Sequence, residues 1–174
     1  DTHGATGFTM IGVVVNEAPS SGSVPVSPSR GYPLDTPFVL TAQAWVDEDL
    51  PLAYVFGTAS FVSSSTGESF GGLVPFGGKR GESSLAGVIL SQGSDLSNFT
   101  VGCGVVVSDV LGAKSSSSMS PVQVLTTMRS IADLLNISEA KTDEALDSGN
   151  ADISKQVLLA TLGSLATAGD TQLA

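Results

Sequence analysis

The chain has 174 residues, enough for one domain of ordinary size that buries a core without metal or disulfide staples. Only 14% of the residues are charged, against roughly 25% in typical soluble domains. Their place is taken by 26 Ser, 14 Thr and 20 Gly, a composition typical of secreted or wall-associated proteins. The formal charge of -10 is spread along the chain without a basic stretch, which excludes nucleic-acid binding.

Residues 1 to about 121 have the pattern of β-structure. Short segments rich in Val, Thr and Phe alternate with clusters of Gly, Pro, Asp and Ser, as strands alternate with turns. Seven strands at this spacing predict a β-sandwich. The predicted strands are Phe8–Val15, Pro37–Val46, Leu52–Phe61, Phe70–Phe76, Leu85–Leu90, Phe99–Ser108 and Ala113–Val124.

The segment 16–33 contains four prolines and is predicted to run extended over the surface, because proline cannot donate within a central strand. In the strand that follows, alternation puts every second residue from Phe38 to Ala44 on one face. The same alternation puts Trp45, the one tryptophan of the sequence, on the opposite face.

From about residue 122 the apolar residues recur at three- and four-residue steps, which predicts helices. One apolar stripe runs from Val124 to Leu135, and a short acidic helix is expected within Ser138–Asn150, ended by Gly149. A last helix is expected over Ser154–Ala168, with Asp152 as its N-cap. We therefore divide the chain into a sandwich over residues 1–121 and a helical segment over residues 122–174.

The residues that support catalysis are scarce. His3 is the one histidine and Cys103 the one cysteine, whereas a zinc site needs three or four ligands and a serine nucleophile needs a histidine base. The run 67–71 matches G-x-S-x-G and the run 72–80 loosely resembles a phosphate loop, but each is interpreted as a Gly-rich loop between strands. We expect no enzyme and no cofactor.

The densest acidic cluster is residues 47–49, and Asp109 follows a predicted strand further along the chain. Hard cations such as calcium prefer several carboxylate oxygens at one point. Asp47, Asp49 and Asp109 are therefore a candidate calcium site. The alternative is a solvated turn that initiates the next strand, and both interpretations stay open.

Two other features concern covalent chemistry. Cys103 lies between two glycines in an apolar strand, which predicts a buried, reduced thiol, with an intermolecular disulfide as the minor alternative. Asn98 and Asn136 each begin an N-glycosylation sequon. If the chain is exported, sugar is expected at Asn98 more than at Asn136, whose neighbours have a helical pattern.

No apolar run approaches the ~20 residues of a membrane span, so we expect no membrane contact by this fragment. The sequence begins at Asp1 without a methionine, and we interpret it as a piece of a longer or processed polypeptide.

The run 45–56 resembles the REJ (receptor for egg jelly) module of polycystin-1-type proteins and sea-urchin sperm receptors. The module shares a Trp, then acidic residues, then Pro-Leu-x-Tyr-x-Phe. Residues 105–113 are similar to the end of an Ig-like PKD or fibronectin-type domain, with Asp109 before Gly112 in a tight turn. The first motif here consists of Trp45, Asp47, Asp49, Pro51, Leu52, Tyr54 and Phe56.

These motif residues have a structural interpretation. The acids end one strand and Pro51 sets the backbone for re-entry into the next. Leu52, Tyr54 and Phe56 then alternate onto one face, and Trp45 covers the corner, as a central tryptophan does in a sandwich.

The resemblance implies a mostly β protein, an Ig-like or fibronectin-III-like sandwich followed by a helical extension that leads to a GAIN-like region. It implies a non-enzymatic structural or adhesion module of a polycystin-1-like receptor, on the extracellular face of the plasma or ciliary membrane. The expected partners are a glycoprotein or matrix component and, through the parent protein, a polycystin-2-type channel. Family members often place a cysteine before Trp45, but residues 41–44 contain none, so no disulfide to Cys103 is implied.

Two alternatives come from other functional classes. One is a structural subunit of an extracellular fibre or cell wall, assembled through exposed strand edges. The other is a carbohydrate-active hydrolase that uses Asp47, Asp49 and Asp109 as paired acids, which requires carboxylates ~5–10 Å apart beside a cleft.

Overall fold

A computed structural model describes residues 4, 7, 9–64, 67–115 and 118–171. Within them, nine strands form two sheets and two helices follow, which confirms the predicted β-sandwich with a helical extension. The Ig-like or fibronectin-III-like assignment stays a prediction. The strands are β1 (Val26–Ser27), β2 (Arg30–Gly31), β3 (Phe38–Thr41), β4 (Ala53–Ser64), β5 (Gly67–Phe70), β6 (Val74–Pro75), β7 (Ser84–Val88), β8 (Thr100–Ser108) and β9 (Ser118–Val124).

The smaller sheet has the order β1-β3-β7, and the larger sheet has the order β2-β9-β8-β4-β5, with β6 also paired to β4. The longest pairing joins β4 and β8, which run antiparallel from Ala53 opposite Ser108 to Ser60 opposite Val101. Strands β2 and β9 are the first and last strands of the larger sheet in chain order, and they lie side by side and pair in parallel. Strand β2 therefore forms the edge of the larger sheet, beside the last strand of the chain.

The core lies between the two sheets and consists of large apolar side chains. Phe38 and Leu40 of β3 are fully buried against Phe56 of β4 and Val105 of β8, and Cys103 is buried among them. Each such side chain stabilises the fold by about 1.5–3 kcal/mol relative to its exposed state. The alternation predicted for β3 therefore holds from Phe38 to Ala42.

Two strand predictions are wrong. Phe8 lies outside the described residues, and residues 9–15 form no strand and pair with no neighbour. The segment Phe70–Phe76 is not one strand, because β5 ends at Phe70 and β6 covers only Val74–Pro75. Apolar content made both segments resemble strands, but a strand also needs a partner for its backbone groups.

The segment 16–33 was predicted to run over the surface, but it lies at sheet edges and is not confined to the surface. It supplies β1 and β2, and Val24 is fully buried in the core. Edge positions tolerate prolines because one side of an edge strand needs no donors.

The helices differ from their predicted bounds. The expected helix from Val124 is wrong, because β9 continues to Val124 and α1 covers Ile131–Asp147. Ser130 caps α1, with its Oγ accepting a hydrogen bond from the Asp133 amide at 3.1 Å. The acidic stretch after Ser138 belongs to the same helix, which Gly149 follows with a φ of 67°, a left-handed conformation that favours glycine.

Helix α2 covers Ala151–Thr171. Its N-cap is Asn150 and not Asp152, because the Asn150 Oδ1 atom accepts a hydrogen bond from the Ile153 amide at 3.2 Å. The Asp152 carboxylate lies instead 3.8 Å from the Arg80 guanidinium. No helix in the described part of the chain combines the length and hydropathy that a membrane crossing requires.

Helices α1 and α2 form a hairpin that packs on the sandwich through a second apolar cluster. A backbone amide of the sandwich, that of Ile89, donates to Gln156 Oε1 of α2 at 2.9 Å. A bidentate pair joins Arg129, just before α1, to Asp35, with N–O distances of 3.0 and 2.8 Å. The second cluster contains Leu34, Ile89, Leu134, Val157 and Ala160.

Candidate functional site

The site begins where the first long strand of the smaller sheet is interrupted. Ala44 has a φ of 59°, a left-handed conformation that is costly for a residue with a Cβ atom. This residue breaks the alternation, because Ala44 is exposed and Trp45 packs against the core. The prediction that Trp45 faces away from the side that Phe38 occupies is therefore wrong, and the prediction for Ala44 is wrong for the same reason.

The indole of Trp45 is partly buried and lies on the backbone of Gly22 in the preceding segment. A Cβ atom at Gly22 would overlap the ring, so this position requires glycine. The Trp45 Nε1 atom is buried and has no hydrogen-bond partner among the described residues. Trp45 thus serves as a packing element of the corner between β3 and β4.

The acidic residues that follow form a tight turn. The Asp47 Oδ1 atom accepts a hydrogen bond from the Asp49 amide at 2.7 Å, a pattern by which Asp stabilises turns. The Asp49 carbonyl accepts a hydrogen bond from the Val110 amide at 3.3 Å, which ties this turn to the loop after β8. The Leu50–Pro51 peptide bond is cis, and the chain then enters β4.

Three residues of the motif point into the sandwich. Leu52 and Tyr54 are partly buried and pack against the core, and Phe56 is only 1% exposed. The Tyr54 and Phe56 rings lie 6.3 Å apart between centroids at an interplanar angle of 22°. The alternation from Leu52 to Phe56 therefore places one side of β4 in the core.

Asp109 holds the second loop of the site. It is 1% exposed, and its Oδ1 atom accepts hydrogen bonds from the amides of Gly112 at 2.5 Å and Ala113 at 2.9 Å. Its Oδ2 atom accepts from Asn16 Nδ2 at 2.8 Å. Burial acts to raise the pKa of Asp109, but the hydrogen bonds from Asn16 and from the turn amides outweigh it and lower that pKa below its ordinary value.

The fold brings the three predicted acids together. One carboxylate oxygen from each of Asp47, Asp49 and Asp109 lies within 4.8 Å of the other two. Asp47 and Asp49 are partly buried, whereas Asp109 is buried. Carboxylate oxygens at this spacing suit a hard cation, which in the case of calcium takes six to eight oxygen ligands. Calcium binding at this cluster stays a prediction.

Two of the three acids also line an open depression of about 630 Å³ between the segment before β1 and the two loops. Asp47 and Asp49 lie on its wall together with Val14, Val15 and Asn16. Trp45 is not among the described residues that line it, because the indole faces the core.

Asp109 itself is poorly suited to act as the general acid of a glycosidase, and the hydrolase alternative stays a prediction. Both Asp109 oxygens already accept hydrogen bonds, and a lowered pKa does not suit a general acid.

The remaining candidate residues lie elsewhere. Asn98 is exposed in the loop before β8, and Asn136 is exposed in the middle of α1. The Ser69 of the G-x-S-x-G run lies in β5 opposite Val62, far from any strand-to-helix turn, so the run is an edge strand and not the predicted loop. His3 lies outside the described residues.

Arg80, at the end of the run 72–80, is held by contacts on two sides. The Arg80 amide donates to the Tyr54 carbonyl at 3.0 Å, and its guanidinium pairs with Asp152. Arg80 therefore connects the sandwich to α2.

Several residues of the site gave no usable signal in the sequence. Asn16 contacts Asp109 across a separation of 93 residues, and Gly22 supports Trp45 from a neighbouring segment. Local patterns cannot reveal such pairs. The sequence also gives no sign that Ala44 is left-handed, because alanine rarely adopts this conformation.

Together, the corner and the two hydrogen-bonded loops define a β-sandwich module in which Leu52 and the aromatic motif residues pack in or against the core, while the motif acids form a turn. The REJ domain family matches residues 1–160, and the chain belongs to this family. The match covers both sheets, α1 and half of α2, and so crosses the boundary predicted after residue 121, which stays a prediction. The family consists of non-enzymatic receptor modules and points to the extracellular region of a polycystin-like receptor. Neither the comparison with curated proteins nor that with solved structures gives a match.

Proposed function

We propose that this chain is a structural module of a polycystin-1-like receptor at the plasma or ciliary membrane, where it bears load between neighbouring modules. The observation that carries the proposal is the family match over residues 1–160. The module then presents its surface to an extracellular glycoprotein or matrix component, and its parent protein associates with a polycystin-2-type channel. The segment 122–174 leads toward a GAIN-like region of the parent.

The parallel pairing of β2 and β9 supports a mechanical role. The Gln123 amide donates to the Ser29 carbonyl at 3.0 Å, and the Leu125 amide donates to the Gly31 carbonyl at 2.9 Å. Tension applied before β2 and after β9 pulls these parallel strands in opposite directions. The hydrogen bonds are then loaded in shear and must break together, which resists force better than breaking them one by one.

Single-molecule force spectroscopy tests this role. Leu125→Pro removes one amide donor of the shear pair and is expected to lower the unfolding force. Thr126→Pro is the matched control, because Thr126 is exposed and its amide makes no backbone hydrogen bond among the described residues. Equal unfolding forces for the two variants would contradict a load path through β2 and β9.

The structural role of Trp45 has its own test. Trp45→Ala is expected to lower the free energy of unfolding by about 3 kcal/mol, since it removes the packing of the corner. Chemical denaturation measures this loss. If the variant kept its melting temperature but lost the binding of an extracellular partner, the corner would be a contact surface and our interpretation would be wrong.

A fibre or cell-wall subunit remains the second candidate, and one observation favours it. The segment before β1 exposes apolar side chains in an unpaired stretch of chain. Such a segment can add to the sheet edge of another molecule. Size-exclusion chromatography over a concentration series distinguishes the two: a subunit grows with concentration, whereas a receptor module stays monomeric. The exposed residues are Met10, Ile11, Val13, Val14 and Val15, each at 79% or more.

A further inference from the structure

We propose that Asn98 carries an N-linked glycan in the mature protein and that Asn136, although it also begins a sequon, does not. This inference rests on the proposed extracellular location. The two sequons are Asn98-Phe99-Thr100 and Asn136-Ile137-Ser138. They differ in secondary structure and in the burial of their residues.

Asn98 lies in a loop that turns its side chain toward solvent. It follows a single 3₁₀ turn, Asp95–Ser97, and has φ 51° and ψ 43°, a left-handed conformation that Asn adopts more easily than most residues. The backbone of Asn98 is held on both sides. Its backbone N–H donates to the Asp95 carbonyl at 2.9 Å, and its backbone carbonyl accepts a hydrogen bond from Gln123 Nε2 at 3.0 Å.

The Asn98 side chain itself is exposed, and its carboxamide group makes no hydrogen bond among the described residues. The neighbouring Leu96 is 89% exposed, so the surface around the loop is open. A sugar attached at Asn98 Nδ2 therefore extends into solvent and displaces no contact of the fold. The hydroxyl-bearing residue of this sequon, Thr100, is the first residue of β8 and is only partly buried.

The second sequon is built into the helical hairpin. Asn136 is exposed, but Ser138 is only 7% exposed, and its Oγ atom accepts a hydrogen bond from Thr161 Oγ1 of α2 at 2.8 Å. A transferase that reads the hydroxyl of the sequon must unwind α1 and separate it from α2. Because the contacts of a helix are local, α1 also forms quickly once it is synthesised.

The transfer requires a lipid pyrophosphate-linked oligosaccharide as donor. Asn98 Nδ2 attacks C1 of the reducing-end sugar, and the C1–N bond forms as the bond from C1 to the pyrophosphate oxygen breaks. The lipid pyrophosphate leaves, and the proton lost from the amide passes to a base. No oxidation or reduction takes place.

The test uses the full chain, secreted from a eukaryotic cell through an added signal peptide. Intact mass is measured before and after treatment with peptide N-glycosidase, which converts a glycosylated Asn to Asp. The wild-type chain is expected to carry one glycan, Asn98→Gln none and Asn136→Gln one. Thr100→Val keeps Asn98 and the shape of the side chain but removes the hydroxyl, and it is expected to lose the glycan as well.

A glycan that persists in Asn98→Gln and disappears in Asn136→Gln would overturn the proposal, and so would a secreted wild-type chain of unglycosylated mass. The added signal peptide makes the result independent of the proposed receptor role. A failed force experiment therefore leaves this inference standing, and an unglycosylated chain leaves the load-bearing role standing.

Discussion

The two apolar clusters of the molecule are built differently. The cluster between the sheets consists of large side chains that come from both sheets. The cluster under the helical hairpin consists of five buried apolar residues, which include the small Ala160 as well as Leu34. Buried polar groups border this cluster. Burial of apolar area is the larger stabilising effect, whereas a hydrogen bond contributes only about 1 kcal/mol net. The hairpin should therefore open at a lower cost than the sandwich. Among the helix residues whose burial is described, the buried polar ones are Ser138, Ser154, Gln156, Thr161 and Ser164.

Cys103 provides a reporter that distinguishes the two regions. It lies in β8 at 0% exposure, and burial raises the pKa of its thiol to about 12. At pH 8 the folded protein should therefore react with thiol reagents only when the sandwich opens, since the thiolate is the reactive form. Opening of the hairpin alone should leave Cys103 protected.

The largest effect is expected from Phe56→Ala. This change removes a ring that is 1% exposed at the centre of the sandwich and should lower the free energy of unfolding by about 3–5 kcal/mol. Labelling of Cys103 at pH 8 should become correspondingly faster. Leu96→Ala, at an 89% exposed position, is the control and should stay within about 0.5 kcal/mol of the wild type. Unchanged labelling in Phe56→Ala would show that β8 is protected by something other than this core.

The second-largest effect is expected from a change that tests whether the helical hairpin unfolds independently of the sandwich. Leu134→Ala removes a fully buried side chain from the second cluster and should cost about 2–5 kcal/mol locally. Hydrogen exchange should show lost protection of the α1 and α2 amides, while Cys103 labelling stays slow. The neighbouring Leu135→Ala, at 49% exposure, should have a smaller effect. If Leu134→Ala accelerated Cys103 labelling as much as Phe56→Ala does, the two regions would form one cooperative unit.

A pH-dependent effect is expected at the loop end of the sandwich. Because the folded-state pKa of Asp109 is lowered, its carboxylate stabilises the fold at pH values above the pKa of about 3.9 that Asp has in an unfolded chain. This contribution is lost as the pH falls through the lower, folded-state pKa. Asp109→Asn should therefore be less stable than the wild type at pH 7, and the gap should narrow toward pH 2.

Denaturation curves between pH 7 and pH 2 measure this convergence. Glu139→Gln removes an exposed carboxylate from α1 and serves as the control. A gap between Asp109→Asn and the wild type that stayed constant over this range would mean that the charge of Asp109 does not stabilise the turn.

The smallest effect is expected at the link between the two regions. Arg129 and Asp35 form an exposed bidentate pair with side-chain exposures of 43% and 32%, and Asp35 raises the pKa of Arg129 through its hydrogen bonds and charge. Asp35→Asn should cost only about 0.2–1 kcal/mol, as exposed ion pairs do. The cost should shrink further in 1 M salt, which screens the pair. A larger, salt-independent loss in thermal denaturation would indicate that the pair positions the hairpin.

Sequence patterns predicted the parts of the fold that depend on neighbouring residues. Alternation from Leu52 to Phe56 identified the buried side of β4, and Gly149 was identified as the end of a helix. The same reasoning failed at Val124, where apolar residues at helical spacing belong to a strand paired with β8. Periodicity over a few residues fits both structures, and the partner strand decides between them.

The cluster of three acids also shows which features local sequence reveals and which only the fold decides. Sequence alone singled out Asp47, Asp49 and Asp109, because acids near turns and strand ends are locally visible. It could not show that Asn16 holds Asp109 or that the three carboxylates converge within 4.8 Å. These contacts depend on which loops the two sheets bring to the same end.

The sequence by itself determined the fold class, the family motif and the composition of an exported module, since each follows from residue type and local spacing. Tertiary structure alone decided that Ala44 turns Trp45 into the core, that residues 9–15 stay unpaired, and that Ser138 is buried while Asn98 is open. The physical reason is that burial and backbone pairing are properties of contacts between distant segments. A chain specifies those contacts only through the complete fold.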